Sequence, residues 1–194
     1  MFNGARSKLE DAYSNLDSMR KATNALEFRA AFNSFLSNCR AVTNALQKEG
    51  AHIPGFRDWY AEKQEEMKSD ELLRFIHESR KEDFHEGQHR LRFGTYIEYL
   101  SSAAVGPPPK PGASLVIGAE GPFWLVDAGT PHERRIPITR GSRHVVQVQI
   151  ENPPTQHRGK PLAATDPISL CEAAATYMAE LLHEAQTKFG GRSG

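Results

Sequence analysis

Arg80 and His85 carry the strongest chemical signal in the chain. They lie in the run Ile76-His77-Glu78-Ser79-Arg80-Lys81-Glu82-Asp83-Phe84-His85-Glu86-Gly87, where an amphipathic pattern runs out into a glycine. A guanidinium is always charged and can hold a phosphate at two points. An imidazole titrates near neutral pH and can give or take a proton. In RNA, a 2′-hydroxyl attacks the adjacent phosphorus when a base removes its proton and a cation stabilises the phosphate oxygens. This chemistry therefore suits RNA and requires no metal or cofactor. Geometry constrains it: on an unbroken helix, positions 80 and 85 are about 140° apart. The two groups meet only if the helix loosens near Asp83-Phe84, or if a second copy of the chain supplies one of them.

The elements that must position this pair are helical. Leu9, Ala12, Tyr13, Leu16 and Met19 recur at three- and four-residue steps and predict a first helix. A second is expected from Asn24, which has capping-box spacing to Glu27, and its stripe runs from Phe28 through Phe32, Phe35, Cys39 and Val42 to Leu46. Gly50 is expected just past its end. After Ile53-Pro54-Gly55, Phe56, Trp59 and Tyr60 begin a shorter helix. Ser69-Asp70 caps the one that carries Leu72, Leu73, Ile76 and Arg80. Phe28, Phe32, Phe35, Trp59, Tyr60 and Phe75 are expected in the core or an interface.

Residues 88–105 fit a helix or a strand equally well. The proline-rich stretch from Val105 to Gly112 is an extended linker or loop. The period then changes. Ser114–Gly118, Phe123–Asp127, Arg134–Thr139 and Arg143–Glu151 read as short antiparallel strands, with Val146, Val148 and Ile150 alternating against Gln147 and Gln149. Asp166-Pro167 opens a final helix whose core face is Cys171, Ala174, Ala175, Met178, Leu181, Leu182 and Ala185. The expected fold is mainly α: a single helical domain over residues 1–194, with an antiparallel β-hairpin or small-sheet insertion at about 113–152 before the last helix.

The 194 residues are 39% hydrophobic and 25% charged with zero formal net charge, so any nucleic-acid site must be a local patch or one repeated by oligomerisation. Cys39 and Cys171 lie in apolar helical patterns and read as reduced, buried thiols of a cytoplasmic protein. No signal peptide is visible and no stretch approaches a membrane span.

The Arg80-x4-His85 spacing, in a helical layout whose last helix returns after an insertion, resembles the HEPN superfamily of α-helical nucleases and nucleotide-associated proteins. Lys81 stands where that signature usually has a small polar residue. The resemblance implies a homodimer with a composite cleft, metal-independent endoribonuclease activity with Arg80 and His85 catalytic, and toxin-type or phage-defence biology with a neutralising protein partner or antitoxin.

Two other readings compete. Glu133 to His144 is the most basic stretch, and Arg134, Arg135, Arg140 and Arg143, with His157, Arg158 and Lys160, are candidates to track a nucleic-acid backbone. A non-catalytic dimeric interaction or nucleic-acid-binding protein would use them. The plain alternative for this stretch is a charged strand edge, which Pro137 suits. His77, His85 and His89 are the candidate ligands of a metal-binding bundle enzyme. No phosphate loop or hydrolase triad is present.

Overall fold

A computed structural model describes residues 1–85, 91–100, 105–118, 121–138 and 142–191; the side chains of 81–85, 95–100 and 142–146 lie outside that set. The fold is mainly α with small antiparallel sheets before the last helix. Helices α1 (Asn3–Lys21), α2 (Ala25–Gly50), α3 (Phe56–Ser69) and α4 (Glu71–His85) come first. Strands β1 (Leu91–Leu100), β2 (Ser114–Gly118), β3 (Gly121–Val126), β4 (Arg134–Pro137) and β5 (Ser142–Ile150) follow, then a small hairpin of β6 (Gln156–His157) and β7 (Lys160–Pro161), and finally α5 (Pro167–Phe189). No helix among the described residues is long and apolar enough to cross a membrane.

The chain forms two compact units. The first holds residues 1–21, 27–92 and 149–194. Its core follows the predicted stripes: Leu9, Ala12, Leu16 and Met19 are buried, as are Phe28, Phe32, Phe35, Cys39, Val42 and Leu46. Tyr13 departs from the expected face and is 43% exposed. Along α5 the seven expected core residues are buried, and Leu170, Tyr177 and Phe189 join them. Asp166 caps α5 by accepting hydrogen bonds from the Ile168 and Ser169 amides at 3.1 and 3.0 Å, with Pro167 in the first turn.

The densest packing is aromatic. The Phe56 ring centroid lies 5.8 Å from that of Phe2, 5.3 Å from Trp59, 5.6 Å from Tyr60 and 5.4 Å from Phe189. This cluster joins both ends of the described chain to the start of α3. Gly50 belongs to it in an unexpected way. It is the last residue of α2, and its role is close approach to a neighbour. A Cβ built there would lie 2.3 Å from the tip of the Phe56 ring.

The second unit holds residues 22–26 and 93–148. Here β2, β3 and β4 form an antiparallel sheet in that order, with Leu115 opposite Trp124 and Trp124 opposite Ile136. The Trp124 indole donates to the Val105 carbonyl at 3.0 Å, which fastens the end of the proline-rich loop. Residues 91–100, ambiguous between helix and strand, form β1 and pair with β5. The β region thus begins earlier than residue 113.

Gly50→Ala is expected to destabilise the protein by about 1–3 kcal/mol, because a methyl group there must displace the Phe56 ring in a packed cluster. Urea unfolding measures this. An unchanged midpoint would show that the ring gives way freely.

Candidate functional site

Asp70 determines how α4 sits. The residue ends α3, where its amide donates to the Glu66 carbonyl at 3.1 Å, and it also starts α4. Its carboxylate accepts from the Leu73 amide at 2.9 Å, as a helix cap does, and from the Arg158 amide at 2.7 Å. The His157 Nδ1 lies 3.0 Å from both carboxylate oxygens. Burial pushes the Asp70 carboxyl up, but the hydrogen bonds from Arg158, Leu73 and His157 outweigh it and hold the group below the usual carboxylate range. The neighbouring Glu71 accepts from the Thr155 amide at 3.0 Å. The β6–β7 hairpin is thereby fastened to the start of α4. Arg158 and Gly159 both have positive φ, at 51° and 69°, in the two-residue turn of that hairpin.

Held in this way, α4 buries Leu72, Leu73, Phe75 and Ile76 and contributes Arg74, His77 and Arg80 to a cavity of about 450 Å³. The cavity lies within the first unit. Its floor is apolar: Leu36 of α2, Met67 of α3, Leu73 and Ile76 of α4, and Met178 of α5. Its other charged lining residues are Arg40 of α2 and Lys68 of α3, and among the described residues no carboxylate lines it. Exposed carboxylates stand behind two of these cations, with Glu65 2.6 Å from Lys68 and Glu78 3.9 Å from Arg74. Arg40 forms no ion pair among the described residues.

The polar groups in the wall differ in availability. The Tyr60 hydroxyl donates to the Thr43 carbonyl at 3.0 Å, and the Thr43 hydroxyl donates to the Arg40 carbonyl at 2.9 Å. Burial raises the Tyr60 pKa, against the hydrogen bond with Thr43 and the charge of Arg40, so the ring stays a neutral phenol. Burial pushes the Cys39 thiol up to about 12, which makes it an inert part of the floor. The Gln64 amide makes no hydrogen bond among the described residues.

Arg80 therefore opens onto a concave, cation-rimmed pocket. His85 is the last residue of an unbroken α4, so the helix does not loosen at Asp83-Phe84. Its side chain lies outside the described residues. Among the described residues, the imidazole that shares the pocket with Arg80 is His77, three residues earlier. Of the other predicted residues, Arg134 and Arg135 are exposed on β4, an edge strand, and the Arg135 guanidinium lies 5.1 Å from the Phe123 ring centroid. Arg140, His89 and the side chain of Arg143 lie outside the described residues. His157 and Arg158 do not belong to a free basic track. His157 is bound to Asp70, and the Arg158 guanidinium pairs with Glu180 at 2.5 Å and Glu66 at 3.6 Å over the Tyr177 ring. Among the described residues, no group of three or more His, Cys, Asp or Glu is arranged to hold a metal ion.

A family model described as bacteriophage lambda protein ea47 matches residues 7–136, well over half of the chain, and the chain belongs to that family. The matched stretch includes every cation of the pocket rim and ends within β4. Comparison with curated proteins and with solved structures gives no match.

Replacing Asp70 with Asn is expected to cost on the order of 2 kcal/mol, since a buried, charge-assisted acceptor of several donors becomes a neutral amide. The Asp70 pKa is depressed in the folded state. Its stabilisation is therefore complete above the unfolded value of about 4 and is lost as pH falls through the folded value. Urea unfolding from pH 7 down to pH 2 should give a shallower acid limb for Asp70→Asn than for the wild type. Parallel curves would mean that the carboxylate is not bound as described.

Proposed function

We propose that this ea47-family protein acts on RNA by HEPN-like, metal-independent endoribonuclease chemistry, with Arg80 gripping a phosphate. The observation that carries the reading is the pocket at Arg80, a concavity lined by four cationic side chains and one imidazole, with no carboxylate among the described residues. In a chain of zero net charge, such a local excess of cations suits a polyanion. His85 is the proton-transfer group that the resemblance implies. Because α4 is continuous to His85, the two positions are about 140° apart on the helix. The reading therefore requires a homodimer in which Arg80 works with His85 of the partner subunit. A second reading keeps Arg80 and gives the proton transfer to His77, which lines the same pocket within one protomer. Arg134, Arg135, Arg140 and Arg143 are proposed as separate contacts to a nucleic-acid backbone. A non-catalytic RNA-binding or protein-binding role is the outcome if no cleavage occurs.

The wild-type protein is expected to cut single-stranded RNA in EDTA. Arg80→Ala should lower the rate on the order of a hundredfold or more with little change in the unfolding midpoint. The paired histidine variants then decide the mechanism. Loss in His85→Ala supports the dimer cleft, and loss in His77→Ala alone supports the single-protomer site. RNA left intact by the wild type ends the catalytic reading.

A further inference from the structure

We infer that the pocket below Arg80 receives one unstacked base of a single-stranded RNA, while Arg40, Arg74 and Arg80 hold the phosphates that flank it. This rests on the RNA reading above and adds a requirement for unpaired substrate. The lining has two layers. At about 450 Å³ the cavity is within the usual range for small-ligand sites, with ample room for a base. Leu36, Leu73, Ile76 and Met178 are buried at its floor, but Met67 is only half-buried, and the flat face of a base would cover the apolar surface left open there.

The rim above the floor is spread over three helices, with Arg40 on α2, Lys68 on α3, and Arg74 and Arg80 on α4. A ligand with a single anionic head would satisfy one or two of these cations. A strand presents successive phosphates and can engage cations on opposite walls. Gln64 supplies the third element. It is a half-buried amide in the wall with two donors and one acceptor, and it is uncommitted among the described residues. Tyr60 and Thr43 already spend their hydroxyl donors on carbonyls. Gln64 is thus the residue placed to read a base edge. A duplex keeps its bases paired and stacked inside a convex rod and cannot fill such a concavity.

The test measures binding by the full chain. The probes are a single-stranded RNA of about ten nucleotides, the same RNA annealed to its complement, inorganic polyphosphate of similar charge, and laurate. The single strand is expected to bind roughly tenfold or more tighter than duplex or polyphosphate. Met67→Trp fills the floor and should erase that margin while polyphosphate binding persists; Gln64→Ala, which leaves the floor intact, should reduce the margin severalfold. Equal affinity for single strand, duplex and polyphosphate sinks the base pocket but leaves an RNA-backbone activity standing. Laurate binding tighter than the single strand reassigns the floor to an amphipathic anion and overturns the inference. Failure to bind or cut any RNA removes this inference and the function it rests on together.

Discussion

The carboxylate of Asp70 is the constraint on which the site depends. It opens α4 by accepting from the Leu73 amide, while the residue's own amide closes α3, and it binds the hairpin 87 residues further along the chain. Surface ion pairs such as Arg20–Glu172, with both side chains about half exposed, contribute roughly 0–1 kcal/mol each. Asp70 is 8% exposed and receives two backbone amides and an imidazole, and charge-assisted bonds of that kind contribute about 1.5–3 kcal/mol. The hairpin has to place Arg158 at positive φ to reach it. The hydrogen bond from the Arg158 amide to Asp70 and the ion pairs of Arg158 offset the cost, on the order of 1–2 kcal/mol. What this secures is the rotation of α4 about its own axis. That rotation decides whether Arg74, His77 and Arg80 face a cavity or open solvent.

The rest of the first unit supplies the opposing walls. Small residues on facing helices, Ala5 and Ala12 on α1 and Ala174, Ala175 and Ala185 on α5, are fully buried and allow close approach. Larger side chains fill the space between α2, α3 and α5 less completely where Leu36, Met67 and Met178 meet, and the pocket is what remains. The aromatic cluster around Phe56 holds the other end of α3, so that helix is fixed at Asp70 and at Phe56.

Long helices were legible in the sequence because a 3.6-residue period repeated over many turns is difficult to mistake. The face of α5 and its Asp166-Pro167 start were readable residue by residue. Three things were hidden, and each depends on a tertiary partner that the local pattern does not show. The strand β1 has apolar positions compatible with both periods, and its pairing with β5 decides between them. Gly50 looks like a helix terminator, yet it is held to glycine by a ring six residues on. His157 and Arg158 looked available for phosphate, but their carboxylate partners are Asp70 at the α3–α4 junction, Glu66 on α3 and Glu180 on α5. For the pocket, Arg80 was legible as a charged residue near a histidine at a helix end. Arg40 and Lys68 were not. They sit on separate helices, and Lys68 beside Glu65 has the pattern of a solvated helical pair.

A neutral chain can still present a local site suited to an anion. Cations on an open surface are screened within about 8–10 Å at ordinary ionic strength. The rim cations are themselves largely exposed, but they surround one concavity with an apolar floor, so their fields add over a small space. Among the described residues no carboxylate in the wall opposes them. The local arrangement outweighs the global balance of 24 basic and 24 acidic residues. The same reasoning limits the chemistry. In the proposed reaction the proton-transfer group has to reach a phosphate held at the rim, which leaves, among the described residues, His77 on the same face of α4, or else an imidazole brought in by a second copy.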